Sequence, residues 1–298
     1  MSASARIIAI LLISSLTLAP LSARAEPPAA ESSEPRLQWD PAWPHFRPIG
    51  YWLTGASVLG AIGATVLLNY PDDARWKGGI LFDSAFRDAL RARDPGVRDA
   101  IRIASDISLL TTVLQIAVVD SAVIPLYESS PGVAAQLSLI NAQAFALNIL
   151  VATLLFKAVA RERPLVPDCQ RHPNFDPLCD TGAYASFPSS HTSNAFTAAG
   201  LSCIHHTYLP LYGSKTADIA ACVETLTLAT ATGLFRIIGD RHYTTDVLLG
   251  AAIGFSIGFF YPWLWHYRYT VEPTETTLPV RTLSVVPLPN GLSLSGSF

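Results

Sequence analysis

Six apolar runs punctuate this chain, near residues 50 to 69, 103 to 126, 133 to 156, 191 to 209, 217 to 238 and 243 to 265. Each approaches the roughly 20 residues a helix needs to cross a hydrocarbon core. The pattern therefore predicts an all-α fold, a six-helix transmembrane bundle over residues 50–268, against the competing reading of a soluble domain with buried helices. Asp106, Asp120, Asn141, Gln143 and Asn148 interrupt the runs and are costly toward lipid, so they are expected to point into the bundle. Composition agrees: 50% of the residues are hydrophobic and 14% charged, against roughly 25% charged in an ordinary soluble protein.

The flanks read differently. Residues 1–25 carry Arg6, an apolar run from Ile7 to Ile13 and the small-x-small sequence Ala23-Arg24-Ala25, the form of a cleaved signal peptide; an uncleaved anchor is the alternative. Residues 26–49 are rich in proline and form a linker. From 70 to 102 arginines mix with aspartates, and the stretch from Ile80 to Leu90 spaces its apolar residues as an interfacial amphipathic helix does. Trp52, Trp263, Trp265 and Tyr267 stand at span ends, where aromatic belts form. Residues 269–298 make a short C-terminal tail, β-hairpin-like, turning at Asn290-Gly291. A net charge of -3 gives no basic footprint, so no nucleic acid partner is expected.

Cys169 and Cys179 bracket a polar loop and are candidates for a disulfide in an oxidising compartment. Cys203 and Cys222 lie within apolar helical stretches and are expected to pack as small hydrophobes. His205-His206 reads as an interfacial pair. No Cys-x-x-Cys or His/Cys ligand spacing occurs, so neither metal nor cofactor is expected. Two inferences about orientation conflict. A cleaved signal with arginines at 70–102 kept inside puts the end of the third span in the cytoplasm, whereas a Cys169–Cys179 disulfide demands the opposite face.

Three stretches carry chemistry. In Arg236-Ile-Ile-Gly-Asp-Arg-His242-Tyr-Thr-Thr-Asp246 a histidine lies six residues beyond an arginine and four before an aspartate. If this stretch is helical, His242 and Asp246 share a face, so Asp246 would fix one ring nitrogen and leave the other free to attack. Arg161-Glu162-Arg163-Pro164 ends the third run, and Pro188-Ser189-Ser190-His191 begins the fourth. With alternating spans all three places fall at one membrane face. Phosphate ester cleavage needs a nucleophile, a proton donor for the leaving oxygen and fixed cations around the other oxygens. His242 would form a phosphohistidine with Asp246 stabilising the ring, and His191 would protonate the leaving group. Arg163 and Arg236 would clasp the oxygens, with Ser189 and Ser190 donating at a helix start.

These blocks resemble the type 2 phosphatidic acid phosphatase superfamily, which also includes vanadium haloperoxidases. Its pattern is Lys-x6-Arg-Pro, Pro-Ser-Gly-His and Ser-Arg-x5-His-x3-Asp, matched here over roughly residues 133 to 262. The resemblance implies a six-helix membrane core, hydrolysis without metal and the same two histidine roles. Three positions depart. The family lysine falls on Phe156, and Lys157 lies one residue late, about 100° around a helix; Lys157 by its flexible stem, or Arg161 in its place, would complete the phosphate site. Ser190 replaces the glycine, and Phe235 replaces the serine. The expected activity is hydrolysis of a lipid phosphomonoester or diphosphate by a multi-pass protein of a bacterial-type inner membrane. The alternatives are a catalytically weakened lipid-phosphate-binding protein and a vanadate-dependent haloperoxidase.

Overall fold

A computed structural model describes residues 36–68, 73–172, 174–179 and 182–268, together with the backbone of 281–288 and 291–297. The expected signal peptide, the first part of the linker and the start of the tail lie outside the described residues. The bundle comprises α1 (Pro48–Leu67), α2 (Asp83–Leu90), α3 (Pro95–Tyr127), α4 (Pro131–Val159), α5 (Val166–Arg171), α6 (Ser190–Tyr208), α7 (Lys215–Ile238) and α8 (Thr244–Tyr267). Two strands, β1 (Arg281–Leu288) and β2 (Gly291–Ser297), pair antiparallel with Leu288 opposite Gly291. Residues 289 and 290, where the sequence places the turn, lie outside the described residues.

Helix boundaries follow local chemistry. Proline occupies the first turn of α1, α3 and α4, where its missing N–H goes unused. Asp94 caps α3 by accepting the N–H of Val97, and Ser214 caps α7 through the N–H of Ala217. Within α3 the register widens to a π-helical stretch, Gln115–Val123, which turns Asp120 inward onto Gln115 and the Tyr212 hydroxyl.

Five helices, α1, α3, α4, α7 and α8, are long and apolar enough to cross a membrane. The sixth expected run forms α6 and falls outside that set for a physical reason: α6 is the central helix, packed against α3, α4, α7 and α8. Its Thr192, Ser193, Thr197, Ser202, His205 and His206 are buried among protein rather than lipid. Close approach of α8 is what centres it. A Cβ at Gly250, Gly254 or Gly258 would meet the carbonyls of Ser189, Ser193 and Thr197 at 2.6, 2.1 and 2.2 Å. A glycine every fourth residue thus clears one face of α8 so that backbone lies on backbone, the small-residue packing typical of membrane helices.

Several expectations are met and others corrected. Asp120, Asn141, Gln143 and Asn148 are buried. The described part of the linker, though not helical up to Arg47, docks on the bundle, because Leu37 and Phe46 enter apolar clusters beside Trp39 and Trp43. Trp52 is exposed as a belt residue should be, whereas Tyr267 is buried, stacked on Tyr208 and packed against Trp39 and Trp43. His205 and His206 are not interfacial. His205 joins the Tyr267 hydroxyl and Asn141, and His206 lies 2.6 Å from Asp218, so both find polar partners inside the bundle. Cys203 and Cys222 are bonded to each other rather than packed as free thiols, because α6 and α7 bring their Cα atoms to 4.4 Å.

Candidate active site

The three chemical stretches meet at one end of the bundle. Their junction is a cavity of about 250 Å³, lined by Asp99, Arg102, Ile103 and Asp106 from α3, Ser190 and His191 at the start of α6 and Arg236 at the end of α7. The connecting loops add Arg163, Leu178, Arg241 and His242. After α7 the chain reverses: the N–H groups of Arg241 and His242 both return to the carbonyl of Arg236. Asp240 makes the turn with left-handed backbone, φ 56°, a region aspartate tolerates. Arg87 of α2 fixes it through a fork on both carboxylate oxygens at 2.7 Å.

His242 is 3% exposed. Its Nδ1 lies 2.7 Å from the Ser186 carbonyl, which can only accept, so Nδ1 carries the hydrogen. The Nε2 lone pair then faces the cavity, 3.2 Å from Arg163 Nη1. Burial above all, then the charges of Arg163 and Arg236, hold this imidazole well below the usual histidine range and keep it neutral. Arg163 is anchored by donating to the carbonyls of Gly182 (2.7 Å) and Arg241 (2.8 Å).

Across the cavity, Asp106 Oδ1 is 3.2 Å from His191 Nε2 and 2.9 Å from Arg236 Nη2. The sequence reading placed Asp106 in the bundle but missed its site position. The i, i+3, i+4, i+7 spacing of Asp99, Arg102, Ile103 and Asp106 was the available signal, since it puts all four on one face.

The Asp246 expectation needs correction. His242 precedes α8 instead of lying in it, so the two residues do not share a helical face, and Asp246 Oδ2 stands 3.9 Å from Nδ1. Its oxygens instead accept from the Ser186 hydroxyl at 2.6 Å, the Tyr243 N–H at 2.9 Å and Arg161 Nη1 at 2.5 Å. Asp246 therefore fixes the segment whose carbonyl holds His242.

Three candidate phosphate ligands lie outside the cavity lining. Arg161 is fully buried between the rings of Trp76 and Tyr243, and its donors are spent on Asp83, Asp246, Thr245 and the Gly78 carbonyl. Lys157 Nζ donates to the Leu68 carbonyl, turned toward the end of α1. Ser189 is buried as the N-cap of α6, its hydroxyl accepting from the N–H and hydroxyl of Thr192. Ser190 remains in the lining, with the open helix N-terminus behind it.

One wall is pinned covalently. The Cys169–Cys179 disulfide, with Cα atoms 5.6 Å apart, sets the loop carrying Asp176 and Leu178. Asp176 takes both Arg98 and Arg102 at 2.8 Å. Burial alone would raise its carboxyl, but hydrogen bonds from Arg102, the Leu178 N–H and Arg98 bring it down to about 2. Among the described residues, no group of three or more His, Cys, Asp and Glu side chains is placed to hold a metal ion.

Fold and cavity together define a multi-pass membrane protein with a cationic, histidine-bearing pocket at one end of its helical bundle. Residues 137–270 match the PAP2 superfamily, so the resemblance read from the three motifs holds at that level, over the segment that contains both histidines, Arg163 and Arg236. A lipid A 1-phosphatase of Porphyromonas gingivalis is 38% identical over 85 residues, 28% of this chain and 17% of that protein. A decaprenylphosphoryl-5-phosphoribose phosphatase of Mycobacterium tuberculosis is 32% identical over 108 residues, 36% of this chain and 50% of that protein. The chain thus spans half or less of the length of these curated relatives. A transmembrane PAP2 type phosphatidylglycerolphosphate phosphatase from Bacillus subtilis superposes with a TM-score of 0.45 at 20% identity, covering 71% of this chain and 90% of that one.

Proposed function

We propose that this protein hydrolyses a phosphate ester or diphosphate of a membrane lipid through a phosphohistidine on His242. The observation that carries the reading is the convergence of a neutral, oriented imidazole, a second histidine and the guanidiniums of Arg163 and Arg236 on one cavity. The phosphoryl group sits among Arg163, Arg236 and the N-terminus of α6. His242 Nε2 attacks phosphorus as Arg163 Nη1 transfers from that nitrogen to a phosphoryl oxygen. His191 gives its proton to the leaving oxygen, and water then releases phosphate from the histidine with His191 as base. Fixed guanidiniums and helix N–H groups stabilise the equatorial oxygens without reorganisation.

The substrate class is supported by placement: the cavity lies where apolar helices end, and Phe82, just before α2, together with Phe86 and Leu90 of α2, is exposed as an interfacial surface would be. With α6 counted as an interior sixth span, the core is a six-helix bundle.

Purified protein in detergent, assayed for phosphate release from phosphatidate, a polyprenyl phosphate and a polyprenyl diphosphate, tests this. Hydrolysis by the wild type and its loss in His242→Gln is expected. A variant as active as the wild type would remove His242 from its role. The non-catalytic alternative, a lipid-phosphate-binding protein, draws on Lys157 being spent on Leu68, and predicts binding of these lipids without turnover.

A further inference from the structure

A second cavity, of about 430 Å³, lies between the end of α6 and the start of α7. Lys215 of its wall and Arg236 of the candidate active site stand at opposite ends of α7, about 32 Å apart at the rise of a helix, so the two cavities occupy opposite ends of the bundle. Its walls divide by chemistry. Ile219, Val223 and the Cys203–Cys222 disulfide make an apolar flank, and Ile219 and Val223 are exposed on the outward side of a span, so the cavity opens sideways toward hydrocarbon. His206, Asp218 and Lys215 make the polar end.

Behind the polar end is a buried charge cluster. His206 Nδ1 lies 2.6 Å from Asp218 Oδ1, and its Nε2 lies 3.4 Å from Asp120 Oδ2. Two carboxylates thus enclose one imidazole. An imidazolium between two carboxylates, or a neutral ring beside one protonated carboxyl, gives the same sum, one net negative charge, inside a membrane bundle where such charge marks a site. That charge reaches the cavity through one atom. Asp218 is 5% exposed, and its Oδ1 accepts from His206 Nδ1 and the Tyr212 N–H, whereas its Oδ2 accepts from no group among the described residues. Lys215, one turn earlier on the same face of α7, is exposed and has no carboxylate within 4 Å among the described residues. A ligand that satisfies both residues carries a cation for Asp218 and an anion for Lys215.

We propose that this cavity binds a phospholipid with an ethanolamine head group, taken from the leaflet opposite the candidate active site. The primary ammonium donates to Asp218 Oδ2, the phosphate pairs with Lys215, and the chains begin along Ile219 and Val223. A buried carboxylate oxygen without a donor favours an ammonium that carries N–H groups, and a trimethylammonium has none to give. The lateral opening to hydrocarbon is what selects a lipid over a soluble zwitterion. The site stands apart from the hydrolase reading and shares no residue with it.

The experiment titrates the full chain in detergent with dioleoyl phosphatidylethanolamine, phosphatidylcholine and phosphatidylglycerol, and counts retained lipid by native mass spectrometry. The wild type should hold one phosphatidylethanolamine about tenfold more tightly than either of the others, the scale of one charge-assisted contact. Asp218→Asn should erase the preference over phosphatidylcholine, and Lys215→Gln should weaken both of these lipids alike. Asp218 also holds His206 and Tyr212, so if Asp218→Asn fails to fold, Val223→Trp decides: it fills the cavity from the apolar flank, leaves the cluster in place and should release the lipid. Equal retention of the three lipids by the wild type, or an ethanolamine preference that survives Asp218→Asn or Val223→Trp, overturns the site. Tight binding of soluble phosphoethanolamine with no lipid retained overturns the lipid as its occupant.

Discussion

His242 is oriented by the backbone of Ser186, whose carbonyl accepts its Nδ1 hydrogen at 2.7 Å. The carboxylate four residues on acts one step removed. Asp246 holds the Ser186 hydroxyl at 2.6 Å, and through it the strand of loop that presents the carbonyl. A neutral acceptor on Nδ1 fixes the tautomer without adding a negative charge beside the attacking nitrogen.

Asp246→Asn should therefore damage stability as well as rate. The carboxylate is fully buried and compensates Arg161, which keeps only Asp83 when the charge is removed. Breaking a buried pair from one side costs about 3–5 kcal/mol. Thermal unfolding in detergent should show a clear drop in midpoint for Asp246→Asn and a much smaller one for His242→Gln, although both lose activity. Equal midpoints for Asp246→Asn and the wild type would contradict the anchoring role.

The depressed ionisation of His242 sets a pH dependence. Attack needs the free base; burial and then Arg163 and Arg236 lower the folded pKa beneath the ordinary value, so the base persists as pH falls through about 6.5. The acid limb of kcat/KM should lie below pH 6.5. Neutralising one source, with Arg163→Gln, should move that limb up toward the ordinary histidine value. A limb already at or above 6.5 in the wild type would argue against a buried neutral nucleophile.

Asp106 sets the opposite wall. Its carboxylate joins His191 and Arg236, and its side chain is 57% exposed, so it can yield to an incoming phosphoryl group. Asp106→Asn should lower kcat by about tenfold through loss of a charge-assisted contact on the proton donor, with a smaller change in KM. A rise in kcat would instead mean that Asp106 competes with substrate for the two cations.

Lys157 offers a test of a corrected expectation. Its ammonium is committed to the Leu68 carbonyl at the end of α1. Lys157→Met should keep kcat/KM within about threefold of the wild type, as expected for a side chain that makes no charge-assisted contact to the transferred group. A loss of 100-fold or more would put Lys157 back among the phosphate ligands.

How much was legible in the sequence follows from what each signal depends on. The spans, the convergence of the three motifs and the roles open to His191, Arg163 and Arg236 depend on hydropathy and spacing, which are local. The His242 orientation depended on where α8 begins. A helix drawn through residues 242 to 246 aligned the pair, but the Tyr243 capping arrangement starts the helix at Thr244 and sends Asp246 back to its own N-terminus. Lys157 and Arg161, four residues apart, look equivalent on paper, whereas Ala160, in left-handed backbone at φ 47°, ends α4 between them, and Lys157 turns to the Leu68 carbonyl while Arg161 turns to Asp83 and Asp246. The glycine series at 250, 254 and 258 was readable as a packing face and went unread. The pairing of Cys203 with Cys222 needed the packing of two helices and had no local signal, and the spacing that put Asp106 on one face of α3 did not say that this face meets His191.

The most direct measurement is of the covalent intermediate. Wild-type protein mixed with a lipid phosphate or diphosphate labelled at its terminal phosphorus, and quenched in alkali, should retain label on His242 that acid removes. His242→Gln should carry none. Turnover at wild-type rates by His242→Gln, or label on a different residue, would contradict a phosphohistidine at this site.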